Sequence, residues 1–205
     1  MFSLPPLNGH DPASLWQRFR ELLWYDETLG VWLDVSRMGL EEHHLNALTP
    51  SFERAFAAMG ALEAGAIANP DEQSQVGHYW LRDPELAPDP AAGQHIAAEV
   101  DRLEAFGTAV REGRITAPAG AAFTDVLWIG IGGSGLGPLL ILRALGREEA
   151  GLPFHFLDNV DPQGIHRTLS LLGERLRTTL VVVVSKSGGT PEPRLGMEQA
   201  RARLE

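Results

Sequence analysis

Val126-Leu127-Trp128-Ile129-Gly130-Ile131-Gly132-Gly133-Ser134-Gly135-Leu136-Gly137-Pro138 is the stretch on which the fold turns. Residues 124–131 are almost continuously apolar, as expected of a parallel strand covered on both faces. The glycine-rich run behind them predicts a tight strand-to-helix loop. Two more apolar runs, residues 154–157 and 180–184, are each followed by small or polar residues. Helical stretches alternate with them: 138–145 with Gly146 as its stop, 162 to about 176 capped by Asp161, and 191 onward capped by Thr190. Strand and helix alternating three times predict a doubly wound parallel α/β sheet over residues 118–205, smaller than a complete domain of that kind.

Upstream, residues 1–117 read as helices joined by loops. Asp11-Pro12 predicts one start, with Leu15, Phe19, Leu22 and Leu23 on its apolar face. Thr49-Pro50 predicts another, carrying Phe52, Phe56 and Met59 on one side, and a third is expected over roughly 93–111 on Ile96, Val100, Leu103, Phe106 and Val110. Residues 69–90 are rich in Pro, Asp and Glu and enclose Gly77-His78-Tyr79-Trp80-Leu81-Arg82. Their turn formers predict an ordered loop, in which the aromatic cluster either packs the loop onto the body or contributes to a pocket.

The 205 residues exceed a typical single domain and fall short of two full ones. With 44% hydrophobic residues, the chain can fill a core. A net charge of −10 repels polyphosphate, so a nucleic-acid partner is not expected. The absence of Cys excludes a disulfide scaffold, a thiolate nucleophile and a cysteine zinc site, and the cytoplasm is the expected compartment. Met-Phe-Ser-Leu-Pro-Pro at the start is no export signal, and no apolar run is long enough to span a bilayer, so no membrane association is expected.

Two loops are expected at the carboxyl edge of the sheet, where ligands bind in open parallel sheets. In the first, Gly130 to Gly137, glycines let a ligand approach the backbone while amides at the helix start favour an anion. The second, Ser185-Lys186-Ser187-Gly188-Gly189-Thr190, gathers three hydroxyls, one ammonium and several amides in a stretch the size of a single phosphate. Lys186 is the only Lys beside sixteen Arg, and a compact ammonium fits a tight loop that a planar guanidinium does not. The plain alternative is a capped turn in which Ser187 and Thr190 bond only their own backbone.

A dinucleotide reading competes. Gly130, Gly132 and Gly135 satisfy Gly-x-Gly-x-x-Gly, and Asp158 ends the next strand, near the place of a ribose-binding acid. Against it stand a helix that the sequence starts only near Pro138 and a hydroxyl-rich third loop with no standard task in holding NAD. The lysine loop also lacks the Gly-Lys-Ser/Thr order of a P-loop. A sugar phosphate accounts for more residues.

The residues resemble a known family. Ser185-Lys186-Ser187-Gly188-Gly189-Thr190 is similar to the phosphate loop of sugar isomerase (SIS) domains. With residues 129–138 and Asp158-Asn159-Val160-Asp161-Pro162 it resembles the glucose-6-phosphate isomerase family, motif by motif and in order. The resemblance implies that Ser185, Ser187 and Thr190 hold the sugar's phosphate with Lys186 in the same loop, and that Gly133 and Ser134 contact the sugar nearer its reacting carbons. It implies interconversion of glucose 6-phosphate and fructose 6-phosphate in glycolysis and gluconeogenesis. A proton moves between C1 and C2 through an enediolate, without cofactor or metal, in a protein that is a homodimer when complete.

That family's catalytic Glu, Arg and His belong to segments after the phosphate loop, beyond residue 205. Glu192 is no substitute, since a carboxylate beside the phosphate would repel it. The expectation is an amino-terminal part of an isomerase, cut short by a frameshift or a misplaced gene boundary, inactive alone, with an incomplete first SIS domain at 118–205. A noncatalytic SIS module that senses a sugar phosphate is the alternative from another class.

Overall fold

The computed structural model describes residues 11–146 and 151–205. The stretch read for export, Met1 to Pro6, lies outside them. Met1–Ala98 and Glu99–Glu205 form two compact units, the division falling inside a helix.

In the first unit, α1 (Pro12–Leu22) starts where Asp11 predicts it, the Asp11 carboxylate accepting from the amides of Ala13 and Ser14. Leu15, Phe19 and Leu22 are half-buried, and the fully buried side chain is Arg18, whose Nε donates to the Ser36 carbonyl at 2.8 Å. Leu23 leaves the helix and opens a hairpin, β1 (Leu23–Asp26) with β2 (Val31–Asp34), in which Tyr25 and Trp32 face one another and stack at 4.2 Å. The expectation of helices alone is therefore corrected: four-residue strands are too short to show a period, and cross-strand aromatic pairing stabilises them.

The second helix is also corrected. α2 runs Glu42–Glu63 with Pro50 inside it, so Thr49-Pro50 does not start it. The start is a capping box in which Glu41 and His44 bond one another's backbone amides. Helix continues through the proline while the Thr49 hydroxyl bonds the Leu45 carbonyl at 3.2 Å. A short hairpin follows, β3 (Ile67–Asn69) with β4 (Ser74–Gln75), which runs into the stretch 69–90 that reads as a loop. Trp80 is buried and its indole N–H donates to the Glu63 carbonyl at the end of α2, so the aromatic cluster packs the loop onto the body. α3 (Pro90–Arg111) begins at a proline with the Asp89 carboxylate accepting from the Ala92 amide.

The second unit is built on β5 (Asp125–Ile129), β6 (Phe154–Leu157) and β7 (Thr179–Val183), all parallel, in the order β6-β5-β7. The helices between are α4 (Gly133–Leu145), α5 (Pro162–Leu172) and α6 (Pro191–Leu204), and α5 gives way at Gly173 to a 3-10 turn, Gly173–Thr178, rather than continuing to 176. The chain steps from β5 to β6 and then back across β5 to β7, and with the right-handed crossovers general to such sheets this winds the helices onto both faces. Leu127 and Ile129 point to the face of α5 and α6, where they join Leu157, Ile165, Leu169, Leu172, Leu176 and Ala200 in one buried cluster. The other face carries Trp128, Phe154 and Phe156, whose rings follow one another at 6.4 and 6.3 Å. The doubly wound α/β layout and its incompleteness, three strands against the usual four to six, are as the sequence predicts. No helix among the described residues is long and apolar enough to cross a membrane.

At the amino edge of this sheet the Asp125 carboxylate is buried and clasps three elements. It accepts from His155 of β6 at 2.8 Å, from Arg175 of the 3-10 turn at 2.6 Å and from the Thr124 hydroxyl at 2.8 Å. Burial opposes its ionisation, but the His155 and Thr124 hydrogen bonds and the Arg175 charge outweigh it and hold the carboxyl below its usual value. A folded pKa below the unfolded one contributes stability that is present above about 3.9 and is lost as pH falls through the folded value. Asp125→Asn is expected to cost about 3 kcal/mol at pH 7, the low end for one partner of a buried pair, because half of the Arg175 side chain is in solvent. Melting temperatures measured from pH 7 downward check this: the wild type should lose stability through the acid range more steeply than the variant.

Candidate functional site

Sheet register decides where the two loops lie. Ile129 pairs with Leu157 on one side and Val183 on the other, the Gly130 amide donates to the Leu157 carbonyl at 3.2 Å, and the Val184 amide donates to the Ile129 carbonyl at 2.8 Å. The chain thus leaves β5 and β7 at the same level on neighbouring strands, about 4.8 Å apart. Both loops begin at the carboxyl edge. The chain leaves β5 toward β6 and then crosses back past β5 to β7, which makes the rim between β5 and β7 the topological switch point where open sheets bind ligands.

The glycine-rich loop is shorter than the sequence suggests. α4 starts at Gly133, five residues before Pro138, with Gly132 as its cap in a positive-φ conformation of +57°. Ser134 and Gly135 donate to the carbonyls of Ile131 and Gly132, and Leu136 closes the first helical turn onto Gly132 at 2.8 Å. Gly135 passes so close to the loop's entry that a Cβ there would lie 2.4 Å from the Gly130 carbonyl oxygen. Gly133 and Ser134 therefore sit in the first turn of a helix, exposed and half-buried respectively, where the helix dipole favours negative charge.

The second loop is bonded within itself. The Ser185 oxygen accepts from the Gly188 amide at 3.0 Å, the Ser187 oxygen accepts from the Gly189 amide at 3.2 Å, and the Ser185 hydroxyl donates to Thr190 Oγ1 at 3.5 Å. That is part of the capped-turn alternative, and it organises the loop without consuming it. An oxygen that accepts from an amide keeps its own proton to donate, so Ser187 and Thr190 each have an O–H to offer an anion. Thr190 caps α6 without a side-chain bond to the first helical amides; the third helical residue, Pro193, has no N–H to offer. Lys186 and Ser187 are exposed at the tip, and Ser185 and Thr190 are half-buried at its base.

All six residues read as site residues, Gly133, Ser134, Ser185, Lys186, Ser187 and Thr190, thus fall in loops or helix starts at one rim. Asp158 stands at the same edge after β6, next to Asn159, which donates to it at 3.1 Å. The early start of α4 removes one objection to a dinucleotide, and strand order supplies a stronger one. In a dinucleotide fold the third strand lies beside the second, whereas here β7 lies beside β5. Among the described residues no group of His, Asp or Glu is arranged to hold a metal. One contact escapes a reading by hydrophobicity: the Trp128 indole N–H donates to the Ser134 carbonyl at 2.7 Å, tying β5 to the first turn of α4.

Comparison with known proteins matches residues 34–205 to the phosphoglucose isomerase family. Over 203 residues, 99% of this chain, it is 63% identical to a glucose-6-phosphate isomerase of Parasynechococcus marenigrum (strain WH8102), covering 37% of that protein. A glucose-6-phosphate isomerase of Synechococcus sp. (strain CC9902) is likewise 63% identical, with 38% covered. One from Prochlorococcus marinus (strain MIT 9313) is 60% identical over all 205 residues, again with 37% covered. The chain spans between a third and two fifths of the length of these curated relatives.

The two glycines of the loop should separate cleanly in denaturant melts. Gly135→Ala is expected to cost about 2 kcal/mol or more, as overpacking against rigid backbone does. Gly133→Ala, whose Cβ meets nothing within 4 Å, is expected to cost nothing and to gain up to about 1 kcal/mol of helix propensity.

Proposed function

The chain belongs to the phosphoglucose isomerase family, and we propose that it supplies the phosphate-holding part of an enzyme that interconverts glucose 6-phosphate and fructose 6-phosphate. The observation that carries this reading is the register of β5 and β7, which starts a glycine loop and a hydroxyl loop at one level of one rim. A hexose 6-phosphate has its single dianion at one end and its reacting carbons at the other. The loop at 185–190 takes the phosphate through the Ser187 and Thr190 hydroxyls, with Ser185 bracing Thr190 and the Lys186 ammonium adding charge. Gly133 and Ser134, at the start of α4, take the sugar nearer C1 and C2.

Isomerisation then requires a base to lift the proton from C2 of the aldose and return it to C1, a donor for the enediolate oxygen and an acid to open the ring. Glu192 is not the base: it is the second residue of α6, beside the phosphate loop, at the far end of the substrate from C2. The chain's own contribution is binding and orientation, which pays the entropic cost of fixing C1 and C2 before any proton moves. The complete enzyme is a homodimer of the cytoplasm, its first SIS domain beginning at residue 118. A dinucleotide site is the lesser reading because of the strand order.

Thermal stability of the purified 205-residue chain tests the assignment. Fructose 6-phosphate at a hundred times its Kd should stabilise it by about 2.7 kcal/mol, NAD should not, and Ser187→Ala with Thr190→Ala should abolish the gain. A coupled isomerase assay of the same sample should read no turnover. Stabilisation by NAD in place of the sugar phosphate, or measurable turnover, would contradict the account.

A further inference from the structure

We propose that Trp128 is a positioning residue for the sugar-binding turn, replacing with its indole N–H the backbone donor that Pro138 removes from α4. In an α-helix the carbonyl of residue 134 accepts from the amide of residue 138. Here residue 138 is proline, inside the helix, and has no N–H. The orphaned Ser134 carbonyl instead accepts from Trp128 Nε1 at 2.7 Å. The donor comes from the strand that leads into the loop, four residues before Gly132 caps the helix. The bond therefore closes strand, loop and first turn into one ring.

The ring matters because of what sits on it. Gly133 and Ser134 are the residues assigned to the sugar, and this inference rests on that assignment. Glycine at 132, 133, 135 and 137 leaves the turn with little side-chain packing of its own. An untied carbonyl would let the turn shift, and a helix start displaced by about 1 Å misplaces a bound substrate. Trp128 does not reach the ligand in this scheme. It lies half-buried beside Phe154 on the sheet face opposite the main core, and acts through the Ser134 carbonyl.

The variants are Trp128→Phe, which keeps an aromatic ring and loses the donor, and Trp128→Phe with Pro138→Ala, which returns an amide to the helix. Fructose 6-phosphate and inorganic phosphate are each titrated into the full chain by calorimetry. W128F should weaken fructose 6-phosphate about fivefold, the worth of one net hydrogen bond, and leave inorganic phosphate unchanged, since the 185–190 loop does not depend on the tie. The double variant should recover most of the sugar-phosphate affinity, which no loss of ring packing would permit. In the ligand-free chain, hydrogen exchange over residues 133–137 should quicken in W128F and slow again in the double variant. Failure of the wild-type chain to bind fructose 6-phosphate would overturn the substrate reading itself. If W128F bound it like wild type, or the double variant stayed weak, the positioning role alone would fall.

Discussion

Parallel pairing of β5 on both of its sides is the constraint from which the site follows. Val126 to Ile129 align with Phe154 to Leu157, and Asp125 to Ile129 with Thr179 to Val183, so all three strands end at one level. Once the ends are level, the glycine loop and the hydroxyl loop have nowhere else to begin. The two ends of the sheet then divide the work. Asp125, His155 and Arg175 clasp the amino edge with charge and hydrogen bonds, and the carboxyl edge gathers backbone amides and hydroxyls beside Lys186 and Asp158.

Proline and glycine set the local chemistry of that edge through what they withhold. Pro193 offers no amide to Thr190 at the third helical position, and the Thr190 hydroxyl meets Ser185. Pro138 denies Ser134 its helical partner, and an indole answers. Gly135 withholds a Cβ that would strike the Gly130 carbonyl. At Pro138 a missing N–H leaves a carbonyl that a side chain then meets.

Much of this was legible in the letters. The apolar runs at β5, β6 and β7 announce a parallel sheet because strands covered on both faces need no alternation. The hydroxyls at 185, 187 and 190 announce themselves by crowding. What stayed hidden was of two kinds. The hairpins of Leu23–Asp26 and Ser74–Gln75 are too short to carry a period and exist through cross-strand partners. The starts of α2 and α4 were misplaced because Pro50 and Pro138 are stronger punctuation on the page than in the fold. A proline costs one bond, and at Pro138 the Trp128 indole stands in for the missing donor at the same carbonyl. Reading Pro138 against residue 134 would have flagged an orphan carbonyl, but not the strand residue that serves it.

A crystal structure of the 205-residue chain soaked with fructose 6-phosphate tests the central claim most directly. The account predicts the phosphate within hydrogen-bond distance of the Ser187 and Thr190 hydroxyls, with the sugar's C1 and C2 end against Gly133 and Ser134. A phosphate bound away from the 185–190 loop, or a sugar turned toward Asp158 with Gly133 and Ser134 untouched, would contradict it.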